Sequence, residues 1–124
     1  MHGARTPEET STVMSAAISA GDLDAAVAMF EPDACFAQLG SVAVGTEAIR
    51  RTLAELLEIT PALQGRPSKV LRAGDIAIVY GTWIMHGRGP DGNDIDLSGR
   101  YTDVVRLQPD GRWLFVIDNP WGFE

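Results

Sequence analysis

The stretch GRYTDVVRLQPDGRWLFVIDNPW, residues 99–121, decides how the rest of the chain is read. Two apolar runs, YTDVVRL and WLFVID, flank QPDG, the pattern of two strands joined by a tight turn. Each run carries an aspartate, Asp103 and Asp118. A carboxylate in a strand otherwise fit for a core is unfavourable unless it is paired, hydrogen-bonded or neutralised. With Gln108-Pro109-Asp110-Gly111 as the turn, Leu107 lies opposite Arg112, Val105 opposite Leu114, Asp103 opposite Val116 and Tyr101 opposite Asp118. Directly opposed side chains share a face, so Asp103 and Asp118 become diagonal neighbours with Cα atoms roughly 7–8 Å apart. A slip of one residue would send them to opposite faces.

Upstream of this hairpin the chain begins with helical signals. Thr6-Pro7-Glu8-Glu9 is a capping box with proline at the first helical position, predicting a helix over 7–20 that Gly21 ends. Asp22 can cap a second, shorter helix, in which Leu23, Ala26, Val27 and Phe30 form one apolar stripe before Pro32 closes it. Short strands follow at 35–39 and 42–44. Thr46 caps a third helix, lined by Ile49, Leu53, Leu56 and Leu57, which Thr60-Pro61 stops. Strands are predicted at 68–73, 76–86, 95–107 and 112–118, with Gly74-Asp75, GRGPDGND and QPDG as turns. Helices first and an antiparallel meander afterwards indicate an α+β fold, and residues 1–124 read as a single domain.

The strand DIAIVYGTWIMHG is apolar on both faces. One carries Ala77, Val79, Gly81, Trp83 and Met85; the other carries Ile76, Ile78, Tyr80, Thr82 and Ile84. A sheet covered on one side only would alternate apolar with polar. The helices can cover one face, and a second copy of the chain is the simplest cover for the other, so a homodimer is expected.

Composition narrows the function. The net charge of −7, with one lysine (Lys69) and nine scattered arginines, argues against a nucleic-acid partner. No apolar run is long enough to span a bilayer, and MHGARTPEET lacks the apolar stretch of a signal peptide. Cys35 is the only cysteine, which excludes an internal disulfide; a cytoplasmic location is expected, with Cys35 as a small buried hydrophobe. One cysteine and two histidines without ligand spacing offer no metal site, and no glycine-rich nucleotide motif is present, so no cofactor is expected. Asp91, Asp94 and Asp96 read as a solvated hairpin tip, and His86 as a strand-end surface residue.

Two carboxyl groups in an apolar hollow do not ionise independently, because desolvation and repulsion raise the pKa of at least one. A neutral acid beside an ionised partner is suited to moving protons to and from a small organic molecule. The alternative is structural: Asp118 opens the turn DNPWG, and Asp103 accepts a bond from Tyr101, an indole N–H or an arginine. Trp83, Met85, Tyr101 and Val116 are the expected walls of a pocket for a flat apolar ligand.

The segments AAISAGDLDAAVAMFEPDACF, VGTEAIRRTL and GRYTDVVRLQPDGRW, in this order and spacing, resemble the nuclear-transport-factor-2-like superfamily. Within it they resemble the SnoaL-like and ketosteroid-isomerase-like proteins, nearest the SgcJ/EcaC-type group. The resemblance implies a cone-shaped, curved antiparallel sheet wrapped around three N-terminal helices, a pocket open at one end, and usually a dimer. Aligned on AGDLD, the oxyanion-binding tyrosine of the steroid isomerases falls at Met14 and their general base at Gln38. Neither side chain can do the original job. Only the strand aspartate is matched, at Asp103. Epoxide hydrolases of the superfamily use two strand aspartates bridged by an arginine; Asp103 and Asp118 resemble that pair, with Tyr101 in the arginine's place. SnoaL-type polyketide cyclases rely on one aspartate, which Asp103 could supply.

Together these features predict a pocket protein for a small apolar organic, polyketide-like or steroid-like molecule. It is expected to act as a cofactor-free isomerase, cyclase or epoxide-hydrolase-like enzyme, with Asp103 and Asp118 catalytic and Trp83, Met85, Tyr101, Val116, Gln38 and Met14 against the ligand. The alternative is a non-catalytic binding or dimerisation module, since a fold alone does not decide function.

Overall fold

The structure, a computed structural model, describes residues 3–122. Two of the three predicted helix caps form; Thr46 does not cap the third helix, because Gly45 takes the N-cap position and no side chain caps it. The Thr6 hydroxyl accepts from the Glu9 amide at 3.3 Å, and the Glu9 carboxylate accepts from the Thr6 amide at 3.2 Å, so the capping box is closed ahead of α1 (Glu9–Ser19). The Asp22 carboxylate accepts from the Ala25 amide at 3.0 Å and starts α2 (Leu23–Val27). Phe30 and Pro32, read as the end of that helix, belong instead to β1 (Phe30–Gln38). The chain continues through β2 (Ser41–Val44), α3 (Thr46–Leu57), β3 (Ala62–Ala73), β4 (Ile76–Arg88), β5 (Asp94–Leu107) and β6 (Trp113–Asp118).

The α+β class holds, but the expected cone of antiparallel strands around three N-terminal helices does not. The six strands form one open sheet in the order β2-β1-β6-β5-β4-β3, with β2 and β3 as unpaired edges. It is mixed, because β1 pairs with β6 in parallel while every other neighbouring pair is antiparallel. Only α1 and α2 precede the sheet; α3 is inserted between β2 and β3. Turn residues report only antiparallel neighbours joined by short loops. The parallel pair joins distant parts of the chain and leaves no local signal.

The last hairpin also differs from its predicted register, by one residue. Gly111 adopts φ +90°, and the Gln108 amide donates to the Arg112 carbonyl at 2.8 Å. Pro109-Asp110-Gly111 is therefore a three-residue loop ending in a left-handed glycine, and Leu107 pairs with Trp113 rather than facing Arg112. Val105 then pairs with Phe115. Between that pair and Val104–Ile117 lies a bulge that takes up Val116 as an extra residue. The bulge shifts parity back, which returns Asp118 to the side of Asp103.

The inner face of the sheet carries the core. Ala77, Val79, Gly81, Trp83 and Met85 of β4 are buried there, and Val105, Trp113, Phe115, Ile49 and Leu53 are almost wholly sealed. Helix α1 lies close against β3. A Cβ on Gly65 would sit 3.1 Å from the Ser15 hydroxyl and 3.3 Å from Ser11 Cβ, so a glycine is needed for that approach. On the outer face Ile76 and Ile84 are exposed, with Ile78 and Tyr80 half-buried. Among the described residues no helix is long and apolar enough to cross a membrane.

Candidate functional site

Between the inner face of the sheet and helices α1 and α3 lies a cavity of about 250 Å³. β5 directs Tyr101 and Asp103 into it at successive inward positions, β4 contributes Trp83 and Met85, and β6 contributes Phe115 and Asp118. α1 adds Ser11, Met14, Ser15 and Ile18, and Gln38 stands at the end of β1. Seven of the eight residues singled out from the sequence thus meet in one chamber. The exception is Val116, which the bulge turns off the cavity, while Phe115 takes the place assigned to it.

Asp103 and Asp118 are 3% and 8% exposed. The Asp103 carboxyl accepts from the Asn119 amide at 2.9 Å and hydrogen-bonds Asp118. Burial is the chief cause that raises the pKa of Asp103 well above the ordinary carboxylate range. The neighbouring charge of Asp118 and the hydrogen bond to it push the same way, and only the Asn119 amide opposes them. Burial raises Asp118 to about 6, against the lowering effect of the bond it accepts from Asp103. Both carboxyls are thus pushed toward the protonated form, Asp103 by more causes than Asp118, and the two cannot ionise independently.

The rest of the wall is mainly apolar, broken by Ser11, Ser15, Gln38, Thr52 and Tyr101. Trp121 meets Trp83 edge to face, with ring centroids 5.2 Å apart. The Trp83 indole N–H donates to the Pro120 carbonyl, so the ring presents only its hydrocarbon face to the cavity. Asn119 shapes the turn that folds Trp121 inward, its side-chain amide donating to the Gly122 carbonyl at 2.9 Å. Among the described residues no lysine, arginine, histidine or cysteine lines the chamber. His86 pairs with Asp96 on the surface, and Arg100 sits on the outer face opposite Thr82. Among the described residues no group of three or more His, Cys, Asp or Glu is placed to hold a metal ion.

Sequence reasoning missed Trp121, Ser11 and Ser15. The turn signal DNPWG was visible, but its direction over the cavity depends on tertiary contacts. Ser11 and Ser15 are spaced i, i+4 on α1, which puts them on one helix face, yet that pattern does not distinguish a pocket wall from a small-residue packing seam.

Residues 12–116 match the SnoaL-like domain model. The chain belongs to the SnoaL-like family. No curated protein matches its sequence at a significant level. Solved structures share the fold of this SnoaL-like chain at low identity. One is a nuclear-transport-factor-2-like superfamily protein from Salmonella enterica serovar Typhimurium, with 17% identity, TM-score 0.80 and coverage of 90% of this chain and 84% of that one. Another is a ketosteroid-isomerase-like protein from Erwinia carotovora atroseptica, at 16% and 0.78, covering 91% and 95%. A third, from Novosphingobium aromaticivorans, is an NTF2-like protein with a cystatin-like fold, at 20% and 0.73, covering 90% and 75%.

The raised pKa values have a consequence for stability. The folded protein keeps protons that an unfolded chain with carboxyl pKa values of about 4 would release. The stabilisation they give is fully present below about pH 4. It is lost as pH rises, through about 6 for Asp118, and the raised pKa of Asp103 acts in the same direction. Asp118→Asn should therefore match the parent in urea denaturation near pH 4 and exceed it at pH 7 by roughly 2–3 kcal/mol. The same difference at both pH values would contradict the assignment.

Proposed function

We propose that this chain is a cofactor-free proton-transfer enzyme acting on a small, mainly apolar organic molecule. The observation that carries the proposal is the burial of Asp103 and Asp118 side by side at the wall of a mainly apolar cavity. We infer that the two share one proton, since burial raises the pKa of both and neither ionises independently of the other. Asp118, the more acidic member, is the base that takes a proton from a weakly acidic C–H of the ligand. Asp103 holds the proton that the pair returns to another atom. Isomerisation and cyclisation need no more than such a transfer. Hydrolysis of an epoxide, by contrast, would lack the cation that poises both carboxylates, since Tyr101 occupies the arginine's place and no cation among the described residues lines the chamber.

We further propose that the protein acts as a homodimer in a reducing, cytoplasmic setting. Following the strand pairings, Leu71, Ile78, Val104, Ile117, Cys35 and Val44 form one unbroken apolar row across all six strands of the outer face. Leu71, Ile117 and Val44 are exposed. A second copy offers a self-complementary cover for such a row.

Each proposal has its own test. In D2O the parent should speed exchange of the acetyl hydrogens of 2-acetonaphthone, followed by proton NMR. Asp118→Asn and Asp103→Asn should each slow exchange by about 100-fold or more while probe binding and folding persist. Undiminished exchange in both variants, or a parent that binds the ketone without exchange, would instead identify a binding module. Sedimentation equilibrium should give a dimer for the parent and a folded monomer for Ile78→Glu; a monomeric parent would contradict the interface.

A further inference from the structure

Two polar groups of the cavity take no part in the proton pair and make no hydrogen bond of good geometry with any described residue. Among the described residues, the buried side-chain oxygens without a hydrogen bond are the hydroxyls of Tyr101 and Ser11, and both residues line this chamber. They are 4% and 7% exposed. A buried hydroxyl without a partner is unfavourable, and native proteins rarely leave one without a reason. Thr52, another hydroxyl on the wall, is satisfied by its own helix, donating to the Ala48 carbonyl at 3.0 Å.

The orphaned pair is held in place by close packing. Gly81 on β4 leaves room for the Tyr101 ring: a Cβ there would fall 2.4 Å from the phenol oxygen and 2.3 Å from the Arg66 carbonyl. Gly65 on β3 lets α1 descend until Ser11 and Ser15 reach the sheet. Ser11 thus comes beside Tyr101, near enough to favour the phenolate slightly, although neither oxygen bonds the other in good geometry. Burial, reinforced by the charges of Asp103 and Asp118, pushes the Tyr101 hydroxyl up to about 12, so it remains a donor throughout the physiological range.

We propose that the Tyr101 and Ser11 hydroxyls form a donor pair that binds one carbonyl oxygen of an otherwise apolar, uncharged ligand. This assignment rests on the proton-transfer reading and supplies the polar feature by which that site would select its substrate. Successive inward positions on a strand are about 7 Å apart. Tyr101 and the carboxyl pair line the same cavity, so a ligand whose oxygen is held at Tyr101 extends along the wall that carries Asp103 and Asp118. A neutral carbonyl is favoured over a carboxylate or phosphate for two reasons: among the described residues no cation lines the chamber, and an anion would lie beside the Asp103–Asp118 carboxyl pair. An acceptor oxygen gives both donors the partner they lack, whereas a hydrocarbon leaves them unpaired.

The test compares 2-acetonaphthone with 2-isopropenylnaphthalene, in which a methylene replaces the oxygen, by quenching of tryptophan fluorescence. The parent should bind the ketone about tenfold more tightly or better. Tyr101→Phe and Ser11→Ala should each reduce that preference to about threefold or less without altering hydrocarbon affinity. The carbonyl stretch of the bound ketone should lie at lower wavenumber in the parent than in Tyr101→Phe. The Tm of Tyr101→Phe should equal or exceed the parent's, because the deleted hydroxyl has no partner to lose. A parent that binds both probes equally, or variants that keep its preference, would overturn the donor pair and leave the apolar pocket standing. Failure of the parent to bind either probe would overturn both.

Discussion

Two carboxyl groups sealed side by side in a hydrocarbon chamber cannot both be ionised, since each charge loses water and faces the other. The bulge opposite Val104–Val105 brings Asp103 and Asp118 to the same side, and the Asn119 amide anchors the Asp103 carboxyl while favouring its ionised form against the effect of burial. The arrangement trades stability at neutral pH for a proton that can be moved. A chain selected for stability alone would do better with apolar side chains at both positions. The cost is limited because the pair retains one proton and its hydrogen bond.

The same trade recurs around the chamber. Gly65 and Gly81 give up side-chain packing so that backbone and hydroxyl groups can come close. Among the described residues the Tyr101 and Ser11 hydroxyls are buried without a hydrogen bond of good geometry, another loss that a ligand's oxygen would recover under the donor-pair proposal. The apolar bulk of the chamber, from Met14 and Ile18 on α1 through Met85 and Phe115 on the sheet, surrounds these few polar atoms with a low-dielectric wall that strengthens every interaction among them. Stability comes from elsewhere, chiefly the sealed core of Ile49, Leu53, Val79, Val105 and Trp113.

What the sequence made legible was local or periodic. The capping box at Thr6–Glu9, the Asp22 cap and the paired faces of β4 follow from side chains a few residues apart, and the structure forms each of them. The parallel pairing of β1 with β6 was not legible, nor was the insertion of α3 within the sheet, because both are settled by contacts between distant segments. The terminal hairpin is the most instructive case. Reading QPDG as a four-residue turn gave a register one residue off and assigned Val116 to the cavity in place of Phe115. The two aspartates still share a face, through a bulge the sequence did not announce. A correct pairing of side chains was thus reached from an incorrect pairing of backbones. Ser11 went unnoticed because a serine on a helix face signals nothing until the opposing wall is known.

The central claim, one proton shared by a buried carboxyl pair, is tested most directly by carbon-13 NMR titration of the side-chain carboxyls of Asp103 and Asp118. Two coupled transitions are predicted: one close to pH 6, and a second well above the ordinary carboxylate range, with the chemical shift of Asp103 still that of a protonated acid at pH 7. Ordinary, independent titration of both groups near pH 4 would contradict it.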